Sequence, residues 1–255
     1  MPSSAAGSTK SGDSGHGERH LAILRHVALY RLTFRRAVYR AVSAVPDEST
    51  AGTALSRLVF DGMLVSHDKA NKEALPGGTT YYTLSARGAK TAGVPANRSD
   101  PFKEALYDHL AALWFCCLSG DRRYRLEPAE LEELLGGDAP RHNTTHCVAA
   151  EPVGHRLYRL YRTGTDAASA VKQVREYVEE ECKKPSLRDW IRTREYGFAI
   201  LSETPEMCRQ LRTLIQKGTG GERPLIEDAH VVAAVCPGPA TFKQAHAALG
   251  GRDAT

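Results

Sequence analysis

The sequence lacks paired cysteines. Its six, Cys116, Cys117, Cys147, Cys182, Cys208 and Cys236, contain no CxxC spacing, and a structural zinc needs four clustered ligands. They lie mostly in apolar stretches, which predicts buried, reduced thiols and no disulfide framework. No apolar run approaches the roughly 18 residues that span a bilayer, which excludes a membrane partner for the chain as read. The first residues are rich in Ser, Gly and Ala without an apolar core, so 1–19 is expected to be a disordered tail, not a secretory signal. A cytoplasmic location follows from these absences. Also missing is any carboxylate between Glu151 and Asp166, a gap that matters below.

What is present is a globular composition, with 42% hydrophobic and 25% charged residues over 255 positions. That length allows one or two domains and a sizeable core. The net charge of +4 is unevenly spread. From Leu21 to Arg98 there are eleven Lys and Arg against five Asp and Glu, whereas from Ser99 to Lys217 there are eighteen against nineteen. The positive excess belongs to the N-terminal part and favours a polyanion partner there.

That part is organised around Thr50–Leu64. Leu55, Leu58 and Val59 share one helical face, Asp61-Gly62 breaks the helix, and Met63–Ser66 begins a strand. Thr79–Leu84 forms the return strand after a loop with the turn signal Pro76-Gly77-Gly78. Two amphipathic helices come first: Leu21–Leu32, and Phe34–Ser43 with Thr33 as its cap. Ser85 caps a short closing helix. Three helices and a two-stranded hairpin in this order predict a winged helix-turn-helix over 20–94, whose third helix enters a DNA major groove. Thr53, Ser56 and Arg57 are the expected base-facing residues. Arg35, Arg36, Lys69, Lys72 and Arg87 are the expected phosphate contacts. The same fold also serves as a protein-docking module.

Val94–Pro101 has linker composition, so 95–101 is taken as a linker. From 102 to 237 the pattern predicts an α/β domain with a mixed sheet. It runs through an apolar helix to Leu118, an acidic helix Glu127–Leu135, strands at Thr144–Ala150 and His155–Arg162, a helix Ala167–Cys182, a strand Phe198–Leu201, a helix opened by Thr204-Pro205-Glu206, and a last strand Val231–Val235. The chain is expected to fray after Pro237, leaving 238–255 as a flexible tail. His109, on the apolar helix, is expected to be a hydrogen-bonded packing residue.

This order, behind a winged helix, resembles the replication-relaxation family of plasmids and other bacterial mobile elements. The resemblance covers roughly residues 20–236. It rests on Ala54–Leu64, Tyr81–Ala89, Asp108-His109-Leu110, and Tyr161–Thr165 followed by the helix with Lys172 and Tyr177. It implies a restriction-endonuclease-like fold for the C-terminal domain, and hence an α+β chain overall. Such nucleases hold Mg²⁺ with carboxylates on two successive strands, and the metal activates water at the scissile phosphate. Here Asn143–His146 stands where the family carries Pro-Asp, and Arg159-Leu160-Tyr161 where it carries Glu-x-Asp. The resemblance therefore implies a pseudonuclease: no catalytic residue, no metal, no cofactor and no small molecule. The expected partner is double-stranded DNA, with Arg156, Arg159 and Arg162 as a second nucleic-acid or partner surface and the domain as a docking or homodimerisation platform. Two alternatives stay open. One is a metal-dependent nuclease with carboxylates displaced to Asp166, Glu176 or Glu151. The other is a protein-docking subunit of a defence, transposition or effector complex.

Overall fold

The computed structural model describes residues 12–70, 73–95, 103–121, 123–139, 145–151, 154–164, 166–217 and 229–250. They form a mixed α/β chain with ten α-helices, one two-stranded sheet and one mixed five-stranded sheet. No helix among them is long and apolar enough to cross a membrane. The chain divides into two compact units: residues up to His67 together with Tyr81–Asp100, and Asp68–Thr80 together with the rest from Pro101.

The first unit opens with α1 (Gly12–Tyr30), so the helix begins inside the segment expected to be a tail. Helix α2 (Arg35–Ala41) follows. Thr33 does not cap it. Thr33 is fully buried, its hydroxyl sits 3.0 Å from His26 Nε2, and its backbone bridges Tyr82. Helix α3 (Glu48–Phe60) is capped by Asp47, whose side chain accepts from Thr50 N at 2.7 Å. Its Ala51, Ala54, Leu55 and Leu58 enter a core with Ile23, Leu24 and Val27 of α1 and Val38 of α2. Gly62, at a positive φ of 68°, turns the chain out of the helix.

Strands β1 (Leu64–His67) and β2 (Tyr81–Leu84) pair antiparallel, Leu64 opposite Leu84 and His67 opposite Tyr81. Helix α4 (Ala86–Ala92) closes the unit and is capped by Ser85, as expected. The Ser85 hydroxyl accepts from Gly88 N at 2.9 Å and reaches the Gly62 carbonyl at 2.6 Å. A β-carbon at Gly88 would run into the Met63 carbonyl oxygen, so only glycine lets α4 sit this close to the hairpin. Ser85→Ala is expected to lower the stability of this unit by about 1 kcal/mol, the usual cost of a lost helix cap. Urea unfolding followed by amide exchange of α4 checks it.

The second unit starts with α5 (Lys103–Cys117). A three-residue strand, β3 (Arg123–Arg125), then α6 (Pro128–Leu135), lead to β4 (Thr145–Glu151) and β5 (Gly154–Arg162). Helices α7 (Ala167–Glu181) and α8 (Pro185–Arg192) cross over to β6 (Tyr196–Ser202), and α9 (Pro205–Lys217) crosses to β7 (His230–Val235). The strands lie in chain order. β3, β4 and β5 are antiparallel neighbours, and β5, β6 and β7 run parallel. β6 is buried along its whole length, as a central parallel strand covered on both faces requires. Val171, Val174 and Val178 of α7 and Leu211 and Ile215 of α9 pack against the sheet. The four most buried thiols are Cys116, Cys147, Cys208 and Cys236, and burial pushes the Cys236 thiol well above its ordinary range.

The chain does not fray after Pro237. It forms α10 (Phe242–Gly250), whose Phe242 is fully buried edge-on to Trp114. β3 and α10 were not anticipated.

Candidate nucleic-acid interface

Helix α3 separates its two faces cleanly. Ala51, Ala54, Leu55 and Leu58 are buried, while Thr53, Ser56 and Arg57 are exposed along the opposite side. No protein group takes the Thr53 or Ser56 hydroxyl among the described residues. Arg57 is held in place from below: its Nε donates to Asp61 Oδ2 at 3.1 Å, and its guanidinium lies 5.2 Å from the centre of the Phe60 ring. The Arg57 side chain is 60% exposed. Phe60 stands 79% exposed at the end of the same helix.

The expected phosphate contacts divide. Arg35 is exposed, with Nε 3.2 Å from Glu48 Oε1. Arg36 is buried, and its Nη1 lies 3.8 Å from Glu48 Oε2. It is a structural residue and not a surface cation, because α2 turns it toward the first turn of α3. Arg87 is exposed and donates Nη1 to the Asp61 carbonyl at 3.0 Å, close to the end of α3. Lys69 is exposed, and Lys72 lies outside the described residues. The hairpin loop Asp68–Thr80 groups with the second unit and not with the first, although the sequence places it within 20–94. Leu75 within it is buried, and a β-carbon at Gly77 would come within 2.9 Å of Lys243 Cγ in α10. The loop is anchored, so Lys69 is carried on a fixed segment.

Two residues near α3 were missed. Arg19 and His20 of α1 line a groove of about 800 Å³ together with Thr53 and Arg57. Burial holds the His20 imidazole below its usual range, against the opposing pull of Asp61. Both residues lay in or beside the segment assigned to the tail. Continuing the helical spacing of Leu21 and Leu24 backwards is the signal that would have found them.

The arginines of β5 do not form one surface. Strand alternation puts Arg159 on one face and Arg156 and Arg162 on the other. Each is engaged within the unit. Arg156 donates Nη1 to His230 Nε2 at 2.9 Å. Arg159 donates Nη1 to Glu181 Oε1 at 2.6 Å and lies over the Tyr177 ring at 4.3 Å. Arg162 donates to Asp108 Oδ1 at 3.1 Å and to Glu203 Oε1 at 2.7 Å. Beside them Tyr161 donates to Gln173, which donates in turn to Tyr177 at 2.9 Å. On the other side of Glu181, burial first and the Glu181 charge second keep the Tyr196 phenol protonated, and its oxygen lies 2.9 Å from His146 Nε2. His109 meets Arg125 at 3.2 Å, in line with a packing role.

Of the displaced carboxylates, Asp166 is committed as the cap of α7, accepting from Ser169 N at 3.0 Å and from its hydroxyl at 2.7 Å. Those bonds hold its carboxyl below the usual range. Glu176 is exposed on α7, and the Glu151 side chain lies outside the described residues. No group of three His, Cys, Asp or Glu able to hold a metal occurs among the described residues. No family model, curated protein or solved structure matches this chain.

Proposed function

We propose that the chain is a non-catalytic, duplex-DNA-binding protein of a mobile element or its host, with the first unit a winged helix and the second a nuclease-like domain without a metal site. One observation carries this reading: Thr53, Ser56 and Arg57 stand exposed on one face of α3, while its other face is locked into the core. Hydroxyls and an exposed guanidinium at that spacing are the donors and acceptors that base edges and phosphates take. Arg35, Arg87 and Arg19 flank the helix and supply cations at its margins. The strand order of the second unit, a hairpin followed by two parallel strands, supports the nuclease-like reading of that half. The likeness to the replication-relaxation family rests on the motifs alone.

Arg57→Ala is expected to weaken duplex binding about tenfold and to reduce the salt slope by about one. Fluorescence anisotropy on labelled duplex across a salt series, with and without Mn²⁺, reads both. Duplex affinity unchanged in Arg57→Ala would remove α3 from the interface, and metal-dependent cleavage would overturn the non-catalytic reading.

A second reading is favoured by the exposed Phe60 and by Val65, 43% exposed nearby in sequence. Apolar side chains of this size suit a protein partner docking on the same face. A co-purified complex that survives Arg57→Ala and is lost in Phe60→Ala would establish it.

A further inference from the structure

The β5 arginines were expected to act as a surface clamp, yet two of them line a cavity of about 280 Å³ at the end of that strand. Its walls come from α5, β4, β5, β6 and α7, all within the second unit. The polar groups facing it differ in how much of their hydrogen-bonding capacity the fold uses. Arg159 spends only Nη1, on Glu181, and its Nε and Nη2 have no protein acceptor among the described residues. Arg162 spends both terminal nitrogens, on Asp108 and Glu203, and leaves Nε. The Tyr177 oxygen receives the Gln173 amide, so its own proton remains to be donated. The Thr145 hydroxyl has no protein partner among the described residues.

The unspent capacity is therefore made almost entirely of donors, and one of them is a guanidinium whose position is set by a buried carboxylate and an aromatic ring. Glu181 is 5% exposed and Arg159 14% exposed in their side chains, so the pair is rigid and sheltered while a mouth remains. Asp108 is the carboxylate at the cavity. It is 60% exposed at the rim and already accepts from Arg162. A donor-rich pocket of this size suits a compact oxyanion with several acceptor oxygens, and charge-assisted bonds from arginine to such groups are the strong ones. The volume lies just under the roughly 300–1,000 Å³ of pockets for drug-sized ligands, which suits a phosphoryl group with a small attachment and excludes a duplex.

We propose that this cavity binds a phosphomonoester, with Arg159 as the fixed cation and Arg162 Nε, Thr145 and Tyr177 as orienting donors. The inference does not rest on the duplex reading of the first unit. It also differs from the surface clamp expected from sequence, because Arg156 takes no part. The phosphomonoester could be the end of a nucleic-acid strand or a free phosphate, and the same chemistry recognises both.

The test is fluorescence anisotropy on the full chain with a short labelled single-stranded oligonucleotide carrying a 5′-phosphate, its 5′-hydroxyl counterpart, and inorganic phosphate as competitor. The 5′-phosphate is expected to tighten binding about tenfold, the worth of one or two charge-assisted hydrogen bonds. Arg159→Gln should abolish that preference. Because this variant leaves Glu181 without its partner, Thr145→Val and Tyr177→Phe, which keep the ion pair, should each reduce the preference severalfold in folded protein. Arg57→Ala should leave the preference intact, which separates failure here from failure of the α3 reading. Inorganic phosphate competing as well as the phosphorylated strand would support the pocket and assign a free anion, and a stronger strand would support it and assign a nucleic-acid end. Equal binding of the two strands without competition by phosphate, or a preference untouched in all three cavity variants, would overturn the proposal.

Discussion

Glu181→Leu is expected to destabilise the second unit by about 3 kcal/mol, the lower end of the cost of breaking a buried ion pair, because Glu181 is buried while the Arg159 side chain is 14% exposed. Arg159 is fixed by position on β5 and cannot swing out to water without leaving the Tyr177 ring. Glu181 meets it from the last turn of α7 at 2.6 Å, and Lys184 approaches the other carboxylate oxygen at 3.3 Å. Removing the carboxylate costs the desolvation that the pair had shared. Removing both ends together should cost little, since well-packed apolar side chains replace a buried pair nearly neutrally. The double variant Arg159→Met/Glu181→Leu is therefore expected within about 1 kcal/mol of the parent. The two tryptophans, Trp114 and Trp190, both lie in the second unit. Selectively excited tryptophan fluorescence during urea unfolding thus reports this unit alone. A loss under about 1 kcal/mol for Glu181→Leu would mean that Arg159 is hydrated and the pair carries no load.

That pair also shows what the sequence could and could not disclose. The run His155–Arg162 alternates as a strand does, and that alone separates Arg159 from Arg156 and Arg162. The partners were not, because Glu181, Asp108 and Glu203 lie 22, 54 and 41 positions away from the arginines they hold. A row of arginines in a sequence with few nearby carboxylates looks like a surface clamp until the crossover helix folds back over the sheet. Arg36 was misjudged for the same reason. Its place on α2 was right, but the first turn of α3 covers it and brings Glu48 to it. Features set by neighbouring residues fared better. Ser85 is legible as a cap, because capping needs only a short polar side chain just before the helix. The buried face of α3 followed from its period, and so did the exposed trio Thr53, Ser56 and Arg57.

The missed elements were short or masked by their composition. β3 is three residues long and polar, and it exists only because β4 offers it a ladder. Helix α10 follows a Pro-Gly-Pro run that looks like a chain end, yet Phe242 and Leu249 fall on one buried face seven apart. The hairpin loop belongs to the second unit because of Leu75 and the close approach of Gly77 to Lys243, neither of which a turn signal can foretell.

Acid is expected to begin destabilising the first unit before its carboxylates titrate, and His26 is the cause. The side chain is buried beside Tyr30, with Nε2 3.0 Å from the Thr33 hydroxyl, and burial lowers its pKa from 6.5 to about 4. The direction of the effect follows from which state takes up the proton. Between pH 6.5 and about 4 the unfolded chain binds a proton that the folded unit refuses, so stability falls as pH falls through this window. Above pH 6.5 both states hold the imidazole neutral and this group contributes no pH dependence. At the lower end the accumulated loss is on the order of 3 kcal/mol, a large part of the stability of a small unit. The Thr33 backbone also ties the start of α2 to β2 through the Thr33–Tyr82 bridge, so protonating His26 strikes where two elements meet. Amide exchange of α1 and α3 at pH 7 and pH 4.5, in the parent and in His26→Gln, measures the effect. The amide of glutamine can still meet Thr33 but does not titrate, so its pH slope in this window should be nearly flat. An equal slope in both proteins would assign the acid sensitivity to other groups.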